Sequence, residues 1–288
     1  MKRIYLSMIL LPFILFIEVE ASTHKSLEIP QIKVIPIKDT QSDRQYELFV
    51  KLPEAYSDNS ETKYPVIYFT DAIWHIELLS AATNFMMEDA ILVGISWQKN
   101  IDEELKKEEG AHVSRYRDYS IRQSSNPETQ AKFQLGQASN HLRFIRNNVF
   151  DYIESKYRTL PDNRTYFGFS LGGLFGAYTL LAQPDTFKNY ILGSPSIWTS
   201  APYLFSLENA ALKQKAPEIN VFISYGELEK ELSQHLEAFI TRLKNKKYQA
   251  LSSINHIVIE SAGHSDSFPM VGVHSVKWLS NLQIKGDK

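Results

Sequence analysis

Cysteine is absent from all 288 residues. That excludes a disulfide framework, a thiolate nucleophile, a Cys-ligated metal and a lipidated cysteine. A large net charge is absent too, at −2, so no electrostatic footprint points to nucleic acid or to an anionic membrane surface. Internal repeats, low-complexity tracts and long blocks of like charge are missing. So are HExxH, paired carboxylates at metal-ligand spacing, a P-loop and a dinucleotide fingerprint. The remaining composition, 43% hydrophobic and 22% charged, is that of an ordinary globular chain long enough to build a large core.

The N-terminus reads as a targeting segment. "MKR" is a basic n-region, "IYLSMILLPFILFI" an apolar h-region, and "VEA" offers small residues at the −3 and −1 positions of a cleavage site. The apolar run is short for a membrane span of about 20 residues. The expectation is a signal peptide over residues 1–21, a mature chain from about Ser22, and export to the periplasm of a bacterium or to the medium. No stable membrane association is expected after cleavage.

Residues 22–288 read as a single α/β domain. "KVIPIK" and "QYELFVKLP" flank a polar turn, and "YPVIYFTD" and "AILVGISW" are apolar runs of the kind buried in a parallel sheet. "HIELLSAATNFM" reads as a helix between them. Further short apolar strands, "RTYFGFS", "NYILGSPSIW", "INVFISYGE" and "HIVIESAGH", alternate with helical patterns. Alternation of this kind predicts a mostly parallel sheet of about eight strands with helices on both faces, and sites beyond the carboxyl ends of the strands. Residues 99–137 are polar and poorly periodic, which suggests a functional insertion or lid.

One junction carries chemistry. "YFGFSLGGLFGAY" places Gly168, Ser170, Gly172 and Gly173 between an apolar strand and a helix. G-x-S-x-G is the pattern of a nucleophile elbow, a strained turn that lifts a serine hydroxyl above the sheet. A tight turn built for helix packing would use the same glycines. A nucleophilic serine needs a base, and the base needs an acid to orient it, in the chain order serine, acid, histidine for this architecture. Of eight histidines, His264 fits best, just after the last strand. His256 reads as the start of that strand, at the opposite end of the sheet. The acid is expected after "INVFISYG", as Glu229 or Glu227, with Glu229 favoured because its offset lets the loop turn back. Backbone N–H groups of Leu171 and of Ala72 or Ile73, in the loop after the third strand, are the candidate oxyanion hole.

Taken in order, these motifs resemble the esterase branch of the α/β-hydrolase superfamily that includes enterobactin (ferric siderophore) esterases. The resemblance rests on "PVIYFTDAIW", "SRYRDYS", "FIRNNVFDYIESKYRT", "GFSLGGLFGAY", "GSPSIWTS", "YGELE" and "GHSDSFP", and covers most of the chain after the leader. Ala72 stands where that family often has glycine. The resemblance implies an α/β-hydrolase fold and hydrolysis of a small-molecule carboxylic ester, siderophore-like or short-acyl, with no metal or organic cofactor. An acyltransferase of similar fold and a non-catalytic binding protein are the competing readings. Trp74 and Trp198 read as packing residues or pocket walls. Arg115, Arg117 and Asp118 read as an ion-pair network or an anion site, and Asp71 as a brace for its loop.

Overall fold

The computed structural model describes residues 31–57, 60–198, 200–207, 210–213, 218–245 and 248–286. The expected signal peptide over residues 1–21 lies outside them. Eight strands form one sheet: β1 (Ile32–Lys38), β2 (Gln45–Lys51), β3 (Tyr64–Phe69), β4 (Ile91–Ile95), β5 (Thr159–Phe169), β6 (Asn189–Gly193), β7 (Ile219–Gly226) and β8 (Leu251–Ile259). Their spatial order is β1-β2-β4-β3-β5-β6-β7-β8. β1 and β2 pair antiparallel, as do β2 and β4, and the other pairings are parallel.

Every residue of β3, β4 and β6 is buried, as a parallel sheet covered on both faces requires. Side chains alternate between two apolar layers. Tyr64, Val66 and Tyr68 enter one, with Ile91 and Val93. Ile67, Phe69 and Leu92 enter the other. The first layer is closed by α5 (Ala138–Phe144), a π-helical turn (Ile145–Val149), α6 (Phe150–Lys156), α7 (Leu171–Ala182), α8 (Ala201–Ser206) and α9 (Lys230–Asn245). The second is closed by α1 (Ala72–Met86) and α10 (His264–Gly286). Among the described residues, no helix is long and apolar enough to cross a membrane.

Three boundaries differ from the sequence expectation. α1 begins at Ala72, so Ala72 and Ile73 occupy the first turn of a helix rather than a loop. β8 begins at Leu251, so His256 lies within the strand, opposite Ile223, and not at its start. The polar stretch "LSSIN" hid this because β8 is an edge strand with much of its length open to solvent. The insertion over residues 99–137 holds α2 (Glu103–Glu109), α3 (Ser114–Tyr119) and α4 (Pro127–Phe133). At six or seven residues each, these are too short to display a hydrophobic period.

The core holds two neutral histidines. His75 on α1 stacks on Phe268 and meets Phe167 edge-on. Burial pushes its pKa down from 6.5 to about 4. His141 on α5 is buried among aromatic rings, and burial lowers its pKa as well. An unfolded chain takes up these protons near its ordinary histidine range, whereas the fold resists them until the depressed value is reached. Stability is therefore full above about pH 6.5 and falls as the pH drops toward about 4. For His75 the expected loss between pH 7 and pH 5 is about 2 kcal/mol. In denaturant titrations at the two pH values, His75→Phe should show a smaller difference than wild type, whatever its own stability.

Candidate active site

Parallel pairing sets the carboxyl ends of β3 and β5 to β8, with β4 beside them, on one edge of the sheet. Phe69 lies opposite Phe167, Phe169 opposite Gly193, Gly193 opposite Ser224, and Gly226 opposite Ile259. Segments far apart in sequence thus leave the sheet side by side, and the candidate residues sit in the turns that follow.

Ser170 forms the turn between β5 and α7 at φ 58°, ψ −118°, a region that L-residues rarely adopt. It is held there by backbone bonds: its N–H donates to Gly193 O at 2.8 Å, and its carbonyl accepts from Ser196 N at 3.0 Å and Leu174 N at 3.0 Å. The motif glycines have a steric cause. A Cβ on Gly168 would stand 2.4 Å from Gly172 O, and one on Gly172 would stand 2.5 Å from Thr70 Oγ1. The Tyr166 hydroxyl donates to Gly172 O at 2.7 Å and bolts the turn from below.

Ser170 Oγ lies 2.9 Å from His264 Nε2, and His264 Nδ1 lies 2.6 Å from Glu229 Oε1. His264 is the first residue of α10, and its ring packs on Phe169 with centroids 5.0 Å apart. Its side chain remains 41% exposed, so water reaches the imidazole, whereas that of Glu229 is only 7% exposed. Burial pushes the Glu229 carboxyl up. Hydrogen bonds from the His264 ring, the Gly226 N–H and the Ser194 hydroxyl outweigh it and hold the carboxyl below the ordinary glutamate range. Glu227 faces away, accepting from Ser261 N at 2.9 Å.

Leu171 is the first residue of α7, and Ala72 and Ile73 are the first two of α1. Backbone N–H groups at these positions have no intrahelical carbonyl to reach, so both helices begin at the strand ends with donors that their own helix leaves free. Trp198, Leu228, Leu232 and His264 wall a cleft of about 330 Å³ beside the acid loop. Trp74 is also half exposed but stands edge-on to Trp97, with the Arg115 guanidinium over its ring.

Asp71, the residue before α1, is fully buried at φ 55°. Its carboxylate accepts from Trp97 Nε1 at 2.6 Å and from Arg115 Nε at 2.9 Å and a terminal nitrogen of the same guanidinium at 3.1 Å. This bidentate pair ties α3 of the insertion to the turn that starts α1. Arg117 pairs with Asp118, whose carboxylate also accepts the Tyr46 hydroxyl. Both arginines are therefore committed to internal carboxylates. Ser194, Ser196, Ser267 and Trp97 line or brace the site and were not singled out from the sequence. "GSPSIW" and "GHSDSFP" contained the serines, but a serine in a turn carries no spacing signal until its neighbours are known.

An elbow serine, a histidine after the last strand and a mostly parallel sheet define an α/β-hydrolase. The family described as "Putative esterase" matches residues 40–283, and the chain belongs to it; it is an esterase. Among curated proteins it is similar to the ferri-bacillibactin esterase BesA of Bacillus subtilis. Identity is 26% over 249 residues, covering 81% of each chain. Among solved structures it is similar to the BES protein from Bacillus cereus, with TM-score 0.75 and 22% identity over 88% of this chain and 96% of that one. It also resembles an IroE-like serine hydrolase from Shewanella oneidensis, with TM-score 0.72 and 20% identity over 87% and 80% of the two chains. At these identities the structural likenesses establish the fold.

The buried Asp71–Arg115 pair makes a direct prediction. Asp71→Asn leaves a nearly buried guanidinium without its counter-charge, which typically costs about 3–5 kcal/mol. Chemical denaturation should show a loss of that size. Lys132→Ala, which breaks a solvent-screened surface pair with Glu108 and Glu109, should shift the same denaturation curve far less.

Proposed function

We propose that the chain hydrolyses carboxylic esters through an acyl-enzyme on Ser170, with His264 as base and acid and Glu229 as the residue that orients His264. The observation that carries this reading is the unbroken run of hydrogen bonds from Ser170 Oγ through both ring nitrogens of His264 to Glu229 Oε1. An ionised carboxylate only accepts, so Nδ1 carries the proton that Glu229 binds and Nε2 is left as the acceptor for the serine proton. Ser170 Oγ attacks the ester carbonyl and His264 Nε2 takes its proton. The developing oxyanion is met by the N–H of Leu171 and by that of Ala72 or Ile73. As the ester C–O bond breaks, His264 returns the proton to the leaving alcohol. Water then attacks the acyl carbon as His264 takes its proton, and His264 gives that proton to Ser170 Oγ as the acyl–Oγ bond breaks and the acid leaves. The solvent-open face of His264 favours water over a second alcohol as the acceptor.

The substrate class we infer is a siderophore-type or other small ester. The named activity of BesA supports this, as do the open cleft and the half-exposed Trp198 and Leu228, which offer apolar surface for a bulky aromatic acyl group. Export is part of the same proposal and rests on the basic and apolar leader of residues 1–21. The mature N-terminus recovered from a periplasmic or secreted fraction should lie near Ser22. Soluble cytoplasmic protein that keeps the leader would refute export.

A serine-directed phosphonate should label Ser170 alone, and Ser170→Ala should abolish labelling without unfolding the protein. On p-nitrophenyl esters, Ser170→Ala and His264→Ala should each lower kcat roughly 10⁴- to 10⁶-fold, and Glu229→Gln roughly 10²- to 10⁴-fold. Glu227→Gln should be nearly silent. Running ferric enterobactin and ferri-bacillibactin beside the short-chain esters tests the substrate class. Labelling at another residue, or a fully active Ser170→Ala, would sink the mechanism.

A further inference from the structure

We propose that Ser194 is a positioning residue of this site, whose buried hydroxyl fixes the Glu229 carboxylate in the rotamer that meets His264. The inference rests on the reading of Ser170, His264 and Glu229 as a triad and adds a member to it. Ser194 follows β6 directly and is fully buried. Its Oγ donates to Glu229 Oε2 at 2.7 Å, on the carboxylate oxygen that His264 does not use. That same oxygen accepts the Gly226 N–H at 2.6 Å. Gly226 holds the acid from its own loop, and Ser194 holds it from the neighbouring strand end. Without Ser194, Oε2 would keep a single donor, the Gly226 N–H.

Proton counting fixes the direction of the network. Glu229 accepts only, so the single Ser194 proton points to it. Ser267 is also fully buried, and its one proton goes to the His264 carbonyl at 3.0 Å. Its oxygen packs 3.2 Å from Ser194 Oγ. Two buried hydroxyls thus connect the acid loop to the first turn of the helix that begins with the base.

The backbone carries an independent argument. Ser194 sits at φ 36°, in the left-handed region where a residue with a Cβ costs roughly 1 kcal/mol more than glycine. Glycine occupies the position before it, and the Ser194 N–H is already anchored to Ser224 O at 2.7 Å. A turn that needed only this backbone shape would be easier to build with glycine. The side chain that is retained at a strained position is the one that touches the acid.

The test compares Ser194→Ala, Ser194→Gly and Ser194→Cys, each alone and in the Glu229→Gln background, on one p-nitrophenyl ester. A lost hydrogen bond to a buried charge should lower kcat roughly ten- to a hundredfold for both Ala and Gly, with KM within about twofold. Cys, a weaker donor, should fall between Ala and Ser. Added to Glu229→Gln, Ser194→Ala should cost less than about threefold, because a positioning residue has nothing left to position. Thermal denaturation checks that each variant is folded. Gly is the safe variant, since it relaxes the strained backbone. If Glu229→Gln is damaging but Ser194→Ala keeps wild-type kcat, the inference fails and the triad stands. Recovery by Gly would make the role one of backbone shape, and an undiminished loss in the Glu229→Gln background would place the effect elsewhere; either overturns it. A Glu229→Gln enzyme at wild-type rate overturns both readings together.

Discussion

The structure at the site depends on keeping one ionised carboxylate, that of Glu229, almost out of water. Burying such a charge unpaired is costly enough that the group would neutralise instead. Here three donors converge on it from three separate elements: the Gly226 N–H at the end of β7, the Ser194 hydroxyl after β6 and the His264 ring at the start of α10. Each of those elements is therefore held in register by the same charge. The parallel pairing of β6, β7 and β8 supplies the frame, and the carboxylate locks the turns that the frame leaves free.

A similar arrangement holds the other side of the site. Asp71 is a fully buried carboxylate in a left-handed turn, and it is satisfied by Arg115 and Trp97. It fixes where α1 begins, hence where the Ala72 and Ile73 N–H groups point out of the first turn. Between these two braces stands the Ser170 elbow, held by backbone bonds to Gly193 and Ser196 and by a glycine, Gly172, that lets α7 approach Thr70 just past β3. All three features sit on turns after parallel strands. Non-glycine residues at positive φ recur there, at Asp71, Ser170, Ser194 and Ser261. The fold concentrates local strain at the candidate site, over a large buried core that holds it.

The division between sequence and tertiary structure follows from what each physical signal encodes. Binary patterning and turn residues are local, so the strands, the helices on both faces, the serine turn at Ser170 and a chain order of serine, acidic loop and histidine are legible in the letters alone. Boundaries that depend on solvent exposure could not: β8 is an edge strand whose polar first half looked like loop, and α1 starts three residues earlier than its apolar pattern because the left-handed Asp71 turns the chain directly into helix. Partner choice among like residues was equally hidden. Glu227 and Glu229 are two positions apart in one acidic run, yet one accepts from a backbone N–H on the surface and the other from His264 in the interior. The same holds for the serines: Ser194 and Ser267 are 73 residues apart, and nothing local marks them as neighbours. A sequence specifies which groups can donate, accept or attack. Only the parallel sheet, by bringing distant strand ends to one edge, decides which of them meet.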